Sequence, residues 1–351
     1  MSTAPTDGTR IERAPGFDAI ASFGDPAAEY RSLLHGAALL DRSARLRMIF
    51  HGAKVPETLT GLVTNDVAAL QPGDGQFAAA LTAKGKIVAD VRIFARTDDW
   101  LVDASAPAAQ GFRAMITKYV NPRLARYADV TGSLRDIGLF GPRSAEIAAK
   151  VLGVSPAALE NLAPYHHAEC SRGGSRVTAA AAADLGIRGY DVMVDEAHAA
   201  ALWRELIAAG ATPAGGDVAA VARIEAGFPL WGTDMDDNTL AQEANLDALG
   251  AISYTKGCYT GQETVARIHF RGHVNRSLRG LTSETVLPKG ALLFDSTDDP
   301  CGDVRSSALS PRVGPIAIAM LKQAVTTQST LSARWDGGST SCIVRSLPFT
   351  T

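Results

Sequence analysis

The pattern of the chain changes at Gly280, and this change constrains the fold more than any other feature. Before it, apolar residues recur with strand and helix periodicities in turn. After it come only short apolar or alternating runs, at 291–294, 302–308, 314–321, 330–334 and 341–347, the first of them straddling the change at 278–281. Pro288, Pro300, Pro311, Asp336-Gly337-Gly338 and Pro348 punctuate them. Short runs broken in this way predict a small all-β unit, barrel or sandwich. With 351 residues the chain exceeds one comfortable core, so two or three units are expected.

Upstream, a helix is expected near 27–34, strand structure from Ala38 to Phe50, and a helix over 53–63. Two strands, 76–81 and 86–95, follow the Gln71–Gly75 turn, with a return strand at 100–103. Further helices are expected at 107–119, 145–152, 156–162, 196–209 and 217–226, and further strands at 134–140 and 187–195; 179–184 fits neither pattern. Such alternation with antiparallel returns predicts an α+β fold, its sheets covered by helices on one side. No glycine pattern forms a Walker loop or dinucleotide fingerprint, so neither ATP nor NAD is implied.

The net charge of −3 excludes nucleic-acid binding by bulk charge; any such role needs a local patch. The first ten residues lack an apolar core and predict a frayed tail, no run reaches membrane-spanning length, and a cytoplasmic protein is expected. The four cysteines are scattered without a C-x-x-C pair, which indicates neither a disulfide framework nor a self-contained metal site. In His166-His167-Ala168-Glu169-Cys170 only His166 and Cys170 stand at ligand spacing, and no metal is assigned. The acidic loop 231–238 lacks the glycine and terminal glutamate of a calcium loop.

Two places carry chemistry. In the strand 86–95, Ile87, Ala89, Val91 and Ile93 share one face and Val88, Asp90, Arg92 and Phe94 the other. Asp90 is then either an ion-pair partner of Arg92 on a solvated face, or a partly buried carboxylate that holds or deprotonates a nitrogenous ligand. In the stretch 254–280, Thr260 and Glu263 have the spacing of a capping box, and Gly272 suits the helix end. Cys258 would precede that helix N-terminus, with Lys256 two residues behind it; both features favour a thiolate. The bland alternative is an inert buried thiol. Gly257 and Gly261 around Cys258 and Tyr259 argue for a loop rather than core. Arg267, Arg271, Arg276 and Arg279, with His269 and His273 between them, form either a patch for anions or a solvated surface paired with carboxylates.

The run Lys256-Gly-Cys-Tyr-Thr-Gly-Gln-Glu263, continued by Val265-Ala-Arg267, Arg271-Gly272 and Arg276, resembles the YgfZ family of folate-binding proteins of iron–sulfur cluster maintenance. These are relatives of the T-protein (aminomethyltransferase) of glycine cleavage. Thr64-Asn-Asp-Val67, Gly85-Lys-Ile-Val-Ala-Asp90, Ile224-Glu-Ala-Gly-Phe-Pro229, Glu243-Ala-Asn-Leu246, Ala248–Ser253, Gly302–Ser307 and Gly314–Ala319 extend the resemblance. It implies a three-domain ring of the T-protein type around a tetrahydrofolate channel, closed by a C-terminal β-barrel. The implied division is a flexible tail at 1–30, folate-binding parts at 31–150 and 215–275, a second α+β domain at 151–214 and the barrel at 276–351.

By the same resemblance Asn65, Asp90, Asp191 and Arg223 would contact folate, Asp90 near its reacting nitrogen and Asp191 against the pterin. Ala219 stands where the aminomethyltransferases carry a folate-binding arginine. Cys258 would be the working thiolate, supported by Lys256, Gly257, Tyr259, Gly261, Gln262 and Glu263. The arginine patch would meet folate glutamates or RNA. Three functions follow: a folate-dependent accessory factor for iron–sulfur client enzymes, including tRNA-modifying ones; a folate-dependent aminomethyltransferase or demethylase with Asp90 as base; or an RNA-binding protein without chemistry.

Overall fold

The computed structural model describes residues 20–350. The first nineteen positions of the expected tail lie outside the described residues. From residue 20 the chain is part of the fold: buried Glu29 accepts hydrogen bonds from Ser22 Oγ (2.7 Å), Phe23 N (2.6 Å) and Gly215 N (2.8 Å). The expected tail is therefore too long at its C-terminal end.

In chain order the elements begin with α1 (Pro26–His35), β1 (Ala38–Asp41), β2 (Leu46–His51), α2 (Val55–Thr60), β3 (Gly75–Leu81), β4 (Ile87–Ala95), β5 (Trp100–Ala104), α3 (Ala109–Tyr119), β6 (Arg126–Asp129) and β7 (Leu134–Phe140). There follow α4 (Ser144–Leu152), α5 (Pro156–Glu160), β8 (His167–Arg172), β9 (Ser175–Ala182), β10 (Gly189–Asp195), α6 (Glu196–Ala208), β11 (Thr212–Pro213), α7 (Gly216–Glu225) and α8 (Gln262–Arg271). The chain ends in β12 (Arg276–Ser283), β13 (Leu292–Phe294), β14 (Pro300–Ser310), β15 (Gly314–Lys322), β16 (Thr330–Trp335) and β17 (Gly338–Arg345).

The strands form a five-stranded sheet ordered β3-β4-β5-β2-β6, a six-stranded sheet ordered β11-β1-β7-β10-β9-β8, and a closed barrel ordered β12-β15-β14-β13-β16-β17. The α+β architecture with a C-terminal barrel is thus present. Helix α3 lays Phe112, Met115 and Ile116 on Ala89, Val91 and Ile93 of the first sheet. Helices α4 and α6 cover the second with Ile147, Ala148, Leu202 and Leu206. The opposite faces of the two sheets meet.

Two expectations need correction. The strand structure over 38–50 is two strands in different sheets, because the turn Arg42–Arg45 carries the chain from one to the other. The boundary at residue 150 does not follow the sheets either: β1 and β7, which precede it, pair with β11 and β10, which come after it.

One apolar cluster joins the three units. Phe77 of the first sheet stacks on Tyr165 (5.8 Å between centroids) and packs on Phe228 (5.2 Å), and Ile316, Ile318 and Met320 of the barrel complete the cluster. Buried Glu225 at the end of α7 accepts from Tyr30 Oη (2.7 and 2.8 Å) and binds Ser310 and Arg312, tying α1 and α7 to the barrel side. Among the described residues no helix is long and apolar enough to cross a membrane.

Candidate functional site

Where the two sheets face each other they bury charge. Asp90 and Arg92 on β4 and Asp103 on β5 come from the first sheet; Asp136 on β7 and Asp191 on β10 come from the second. Arg42 and Arg45 enter from the crossing turn. Gly138 lies directly opposite Asp191 in the β7–β10 pairing, and a Cβ there would stand 2.6 Å from Arg42 Cδ. A glycine is what lets Arg42 reach across the strand.

Arg92 is the centre of this seam. Its Nε donates to Asp103 (2.9 Å), its Nη2 to Asp136 (3.2 Å) and its Nη1 to Asp191. Arg45 binds Asp103 (3.1 Å) and lies 3.5 Å from Asp90 Oδ2. Arg42 places Nε 3.1 Å from Asp191 Oδ1 and forks onto Asp184 (2.6 and 3.2 Å). Arg47, fully buried, donates to Leu134 O (3.0 Å) and Ser43 O (2.6 Å).

The carboxyls differ in consequence. Burial would raise Asp103, but Arg45 and Arg92 overcome it and hold the group well below the usual carboxylate range. Asp136 is pushed up to about 7, first by burial and then by the neighbouring Asp191 charge. Burial also raises Asp90, only partly offset by Arg45 and Ser105, and its Oδ1 is buried without a hydrogen-bond partner. Asp90 is therefore not the surface partner of Arg92 but a buried carboxylate with one unused oxygen.

A cavity of about 160 Å³ opens beside the seam. Arg42, Arg45, Asp184 and Arg223 give it polar walls, and Leu40, Leu185, Ala219 and Leu230 apolar ones. Arg223 is already engaged: Nη1 donates to Asp234 (2.7 Å) and to Phe228 O (2.6 Å). Asp234 in turn accepts from Ser306 of the barrel (2.6 Å), so the acidic loop serves as a brace.

The implied folate contacts thus separate. Asp90 and Arg223 lie at the seam and cavity. Asp191 is in the seam between Arg42 and Arg92; Arg92 donates to its Oδ2, while Oδ1 lies 3.1 Å from Arg42 Nε without a hydrogen bond. Asn65 is elsewhere: its Nδ2 donates to Phe77 O (3.0 Å) and Gly250 O (2.9 Å), pinning one loop to another.

That pinned loop carries Cys258. Ser253 N donates to Thr64 O (3.0 Å), Thr64 Oγ1 to Ala251 O (2.6 Å), and Thr260 N to Gly61 O (3.2 Å). The Lys256 ammonium is buried under Tyr259, 4.4 Å from its ring, and donates to the carbonyls of Val63 (2.7 Å), Asn65 (3.1 Å) and Thr60. Burial pushes Lys256 down to about 8 and Tyr259 up to about 12. Lys256 is thus a fastener for the loop, its charge spent on carbonyls. Cys258 is exposed, as is Gly257.

The capping box does not form. The N-cap of α8 is Gly261 at φ 86°, with no side-chain cap, and a Cβ there would stand 2.6 Å from Thr82 O. Thr260 lies outside the helix, while Gln262 and Glu263 open it. The arginine patch also divides. Arg267 and Arg271 are exposed on α8; Arg276 binds Glu243 (3.0 Å), and Arg279 is half-buried in the barrel wall.

Arg42, Arg45, Arg92, Asp103, Asp136 and Asp184 are absent from the sequence-derived site. The signals were present: four charges in the run Asp41-Arg42-Ser43-Ala44-Arg45-Leu46-Arg47, and Asp103 inside an apolar strand.

Comparison with known proteins agrees with this architecture. The crystal structure of glycine cleavage system aminomethyltransferase T from Bartonella henselae superposes with a TM-score of 0.86 at 21% identity, covering 98% of this chain and 95% of that one. An aminomethyltransferase of Nostoc sp. is 27% identical over 322 residues, 88% of this chain and 83% of its own length. One of Nitrosomonas europaea is 30% identical over 282 residues, 79% and 74% respectively. The family described as the GCVT N-terminal domain matches residues 6–253, and it is to this family, the aminomethyltransferase superfamily, that the chain belongs.

Proposed function

We propose that this chain is a tetrahydrofolate-dependent one-carbon transfer protein of the aminomethyltransferase kind, with Asp90 as the group that holds and moves the proton. The observation that carries this is Asp90 itself: a carboxyl raised by burial, with an orphan oxygen, whose partner Arg45 lines the cavity. A carboxylate held in that way suits proton transfer to or from a nitrogen.

Tetrahydrofolate fits these residues in part. When bound, it supplies the nitrogen that accepts the one-carbon unit. Asp90 Oδ1 is free to accept an N–H, and Arg42, Arg45 and Arg223 give the cavity wall the cations that carboxylates pair with. A cavity of about 160 Å³ is close to the roughly 150 Å³ that accepts one benzene ring, so it takes a ring-sized part of the folate with the remainder outside it. Asp191 would contribute through Oδ1, which lies 3.1 Å from Arg42 Nε without a hydrogen bond.

The test is release of methylene-tetrahydrofolate from a methylamine-bearing donor by purified protein. Asp90→Asn should lower the rate about a hundredfold or more while leaving tetrahydrofolate binding measurable. Equal rates in the two proteins would remove Asp90 from the chemistry.

A second reading has its own support. Cys258 is exposed on a loop fastened by seven hydrogen bonds, which suits a thiol that meets another protein. On that reading the protein is a cytoplasmic folate-binding accessory factor that serves iron–sulfur clients, tRNA-modifying enzymes among them, and Cys258 works by soft-metal ligation or nucleophilic attack. In a deletion strain, Cys258→Ala should then fail to restore cluster-dependent enzyme activity while Asp90→Asn succeeds. The opposite pattern selects the first reading.

A further inference from the structure

We propose that the outer face of α8 is a binding surface for single-stranded nucleic acid, separate from the seam and cavity. Helix α8 buries only Val265; Glu263, Arg267, His269, Phe270 and Arg271 are exposed. Phe270 is 66% exposed, the most exposed large apolar side chain among the described residues. It caps an aromatic stack. The Tyr254 and His269 rings lie parallel with centroids 3.6 Å apart, and Phe270 stands edge-on to His269 at 4.6 Å. The stack holds Phe270 while leaving it uncovered.

Cations line the same face. Arg267 and Arg271 are one turn apart, about 6 Å along the axis. The turn that joins β3 to β4 packs on the start of α8, where a Cβ on Gly85 would stand 2.9 Å from Thr264, and the residue before Gly85 in that turn is exposed Lys84. Among the described residues none of Lys84, Arg267 and Arg271 has a carboxylate partner, and Glu263, one turn before Arg267, forms no ion pair with it. Unpaired cations beside an open aromatic ring meet the two requirements of a strand with splayed bases: charge for the phosphates and a face for stacking. An acidic peptide would use the cations and leave Phe270 idle, so the ring selects nucleic acid.

The probe is a fluorescein-labelled oligouridylate read by fluorescence polarisation on the full chain. Binding is expected at low salt and should weaken steadily with added potassium chloride. Phe270→Ala should weaken it about tenfold. Arg267→Gln with Arg271→Gln should reduce the slope of log K against log salt by about 1.4, two phosphate contacts at about 0.7 each. A duplex of equal length should bind less tightly, since its bases cannot stack on the ring. All these positions are exposed, and unchanged thermal melts establish that the variants fold. The proposal is overturned by no binding at low salt, by affinity indifferent to Phe270→Ala, or by polyglutamate competing as well as the oligonucleotide. Because the face shares no residue with the seam, Asp90→Asn should bind the probe like wild type; this separates the proposal from the folate reading.

Discussion

The seam between the two sheets and the interior of the barrel are both largely buried, yet they are built from opposite materials. The barrel packs Leu281, Leu287, Leu293, Val304, Ala319, Leu331 and Val344 inside a sheet that closes when β12 pairs with β17. The seam packs Asp90, Asp103, Asp136, Asp184 and Asp191 against Arg42, Arg45, Arg47 and Arg92. Burying apolar area stabilises at about 25 cal/mol per Å² and asks nothing of pH. Burying ion pairs roughly cancels its own desolvation cost, and replacing such a network by hydrophobes is often neutral or better. The barrel thus explains itself as a stabilising unit, whereas the seam does not. Asp136 shares Arg92 with Asp103 and Asp191, and burial together with the Asp191 charge lifts it in spite of that cation. A region that gains little stability from its charges and keeps an unused oxygen on Asp90 is better understood as a site than as a core.

The sharpest way to break this contrast is to remove one member of each region. Arg92→Met strands Asp103, Asp136 and Asp191 without their shared cation and should cost about 3–5 kcal/mol in urea unfolding. Leu293→Ala in the barrel should cost about 2–5 kcal/mol, with the same loss at pH 5 and pH 8. Only the Arg92 variant should show a loss that changes with pH, because only there do the stranded groups titrate. A loss under about 1 kcal/mol for Arg92→Met would mean that water already reaches these carboxylates, and the contrast would fail.

How far the sequence disclosed all this depended on the kind of signal. The barrel was legible from the punctuation after Gly280, because short strands and turn residues are local features. The β4 faces were legible from Ala89 onward, since Ala89, Val91 and Ile93 do pack on α3 while Asp90, Arg92 and Phe94 face the other sheet; Ile87 and Val88 take the opposite faces from those expected, because the β3–β4 pairing shifts register between Ala80 and Leu81. What that second face meets was not legible. The partners of Arg92 lie 11, 44 and 99 residues away, and only the crossing turn at 42–45 brings the sheets together. The same holds for Lys256. Its place beside Cys258 in sequence suggested that it would stabilise a thiolate, yet its side chain turns to carbonyls nearly two hundred residues earlier. Gly261 was misjudged for a local reason. Thr260 has the right side chain for an N-cap, but the chain enters α8 through a left-handed residue pressed on Thr82, where only glycine fits.

A smaller effect tests the acid that burial lifts. In the unfolded chain Asp136 titrates near the ordinary value of about 3.9. In the folded protein it holds its proton up to about 7. Between these values the native state binds the extra proton, so this group's contribution to stability is complete below about pH 4 and is lost as pH rises to about 7. Asp103 acts in the other direction and lower down: its depressed value gives stability above the ordinary carboxylate range that is lost as pH falls through it. Asp136→Asn keeps a neutral group beside Arg92 and should flatten the decline between pH 4 and 7 without touching the acid limb. Urea unfolding of both proteins across that range decides it. An unaltered decline would place the extra proton on another group.

The smallest effect concerns the fastened loop, which resembles the seam in holding a buried cation but differs in pairing it with dipoles instead of acids. The ammonium of Lys256 satisfies three carbonyls where α2 ends and the following turn begins. Lys256→Met keeps the length of the stem and its packing under Tyr259, and deletes the donors. Unsatisfied buried carbonyls cost about 1–3 kcal/mol, but this loop lies at the surface, where water can replace part of what is lost. The expected loss is therefore at the low end of that range. It should be local, with faster amide exchange at Ser253 and Thr260, whose bonds to Thr64 and Gly61 share the fastening, and unchanged exchange in the barrel strands. If exchange in β12 and β15 rose as well, the loop would be part of the global core, and its separation from the seam and barrel would have to be abandoned.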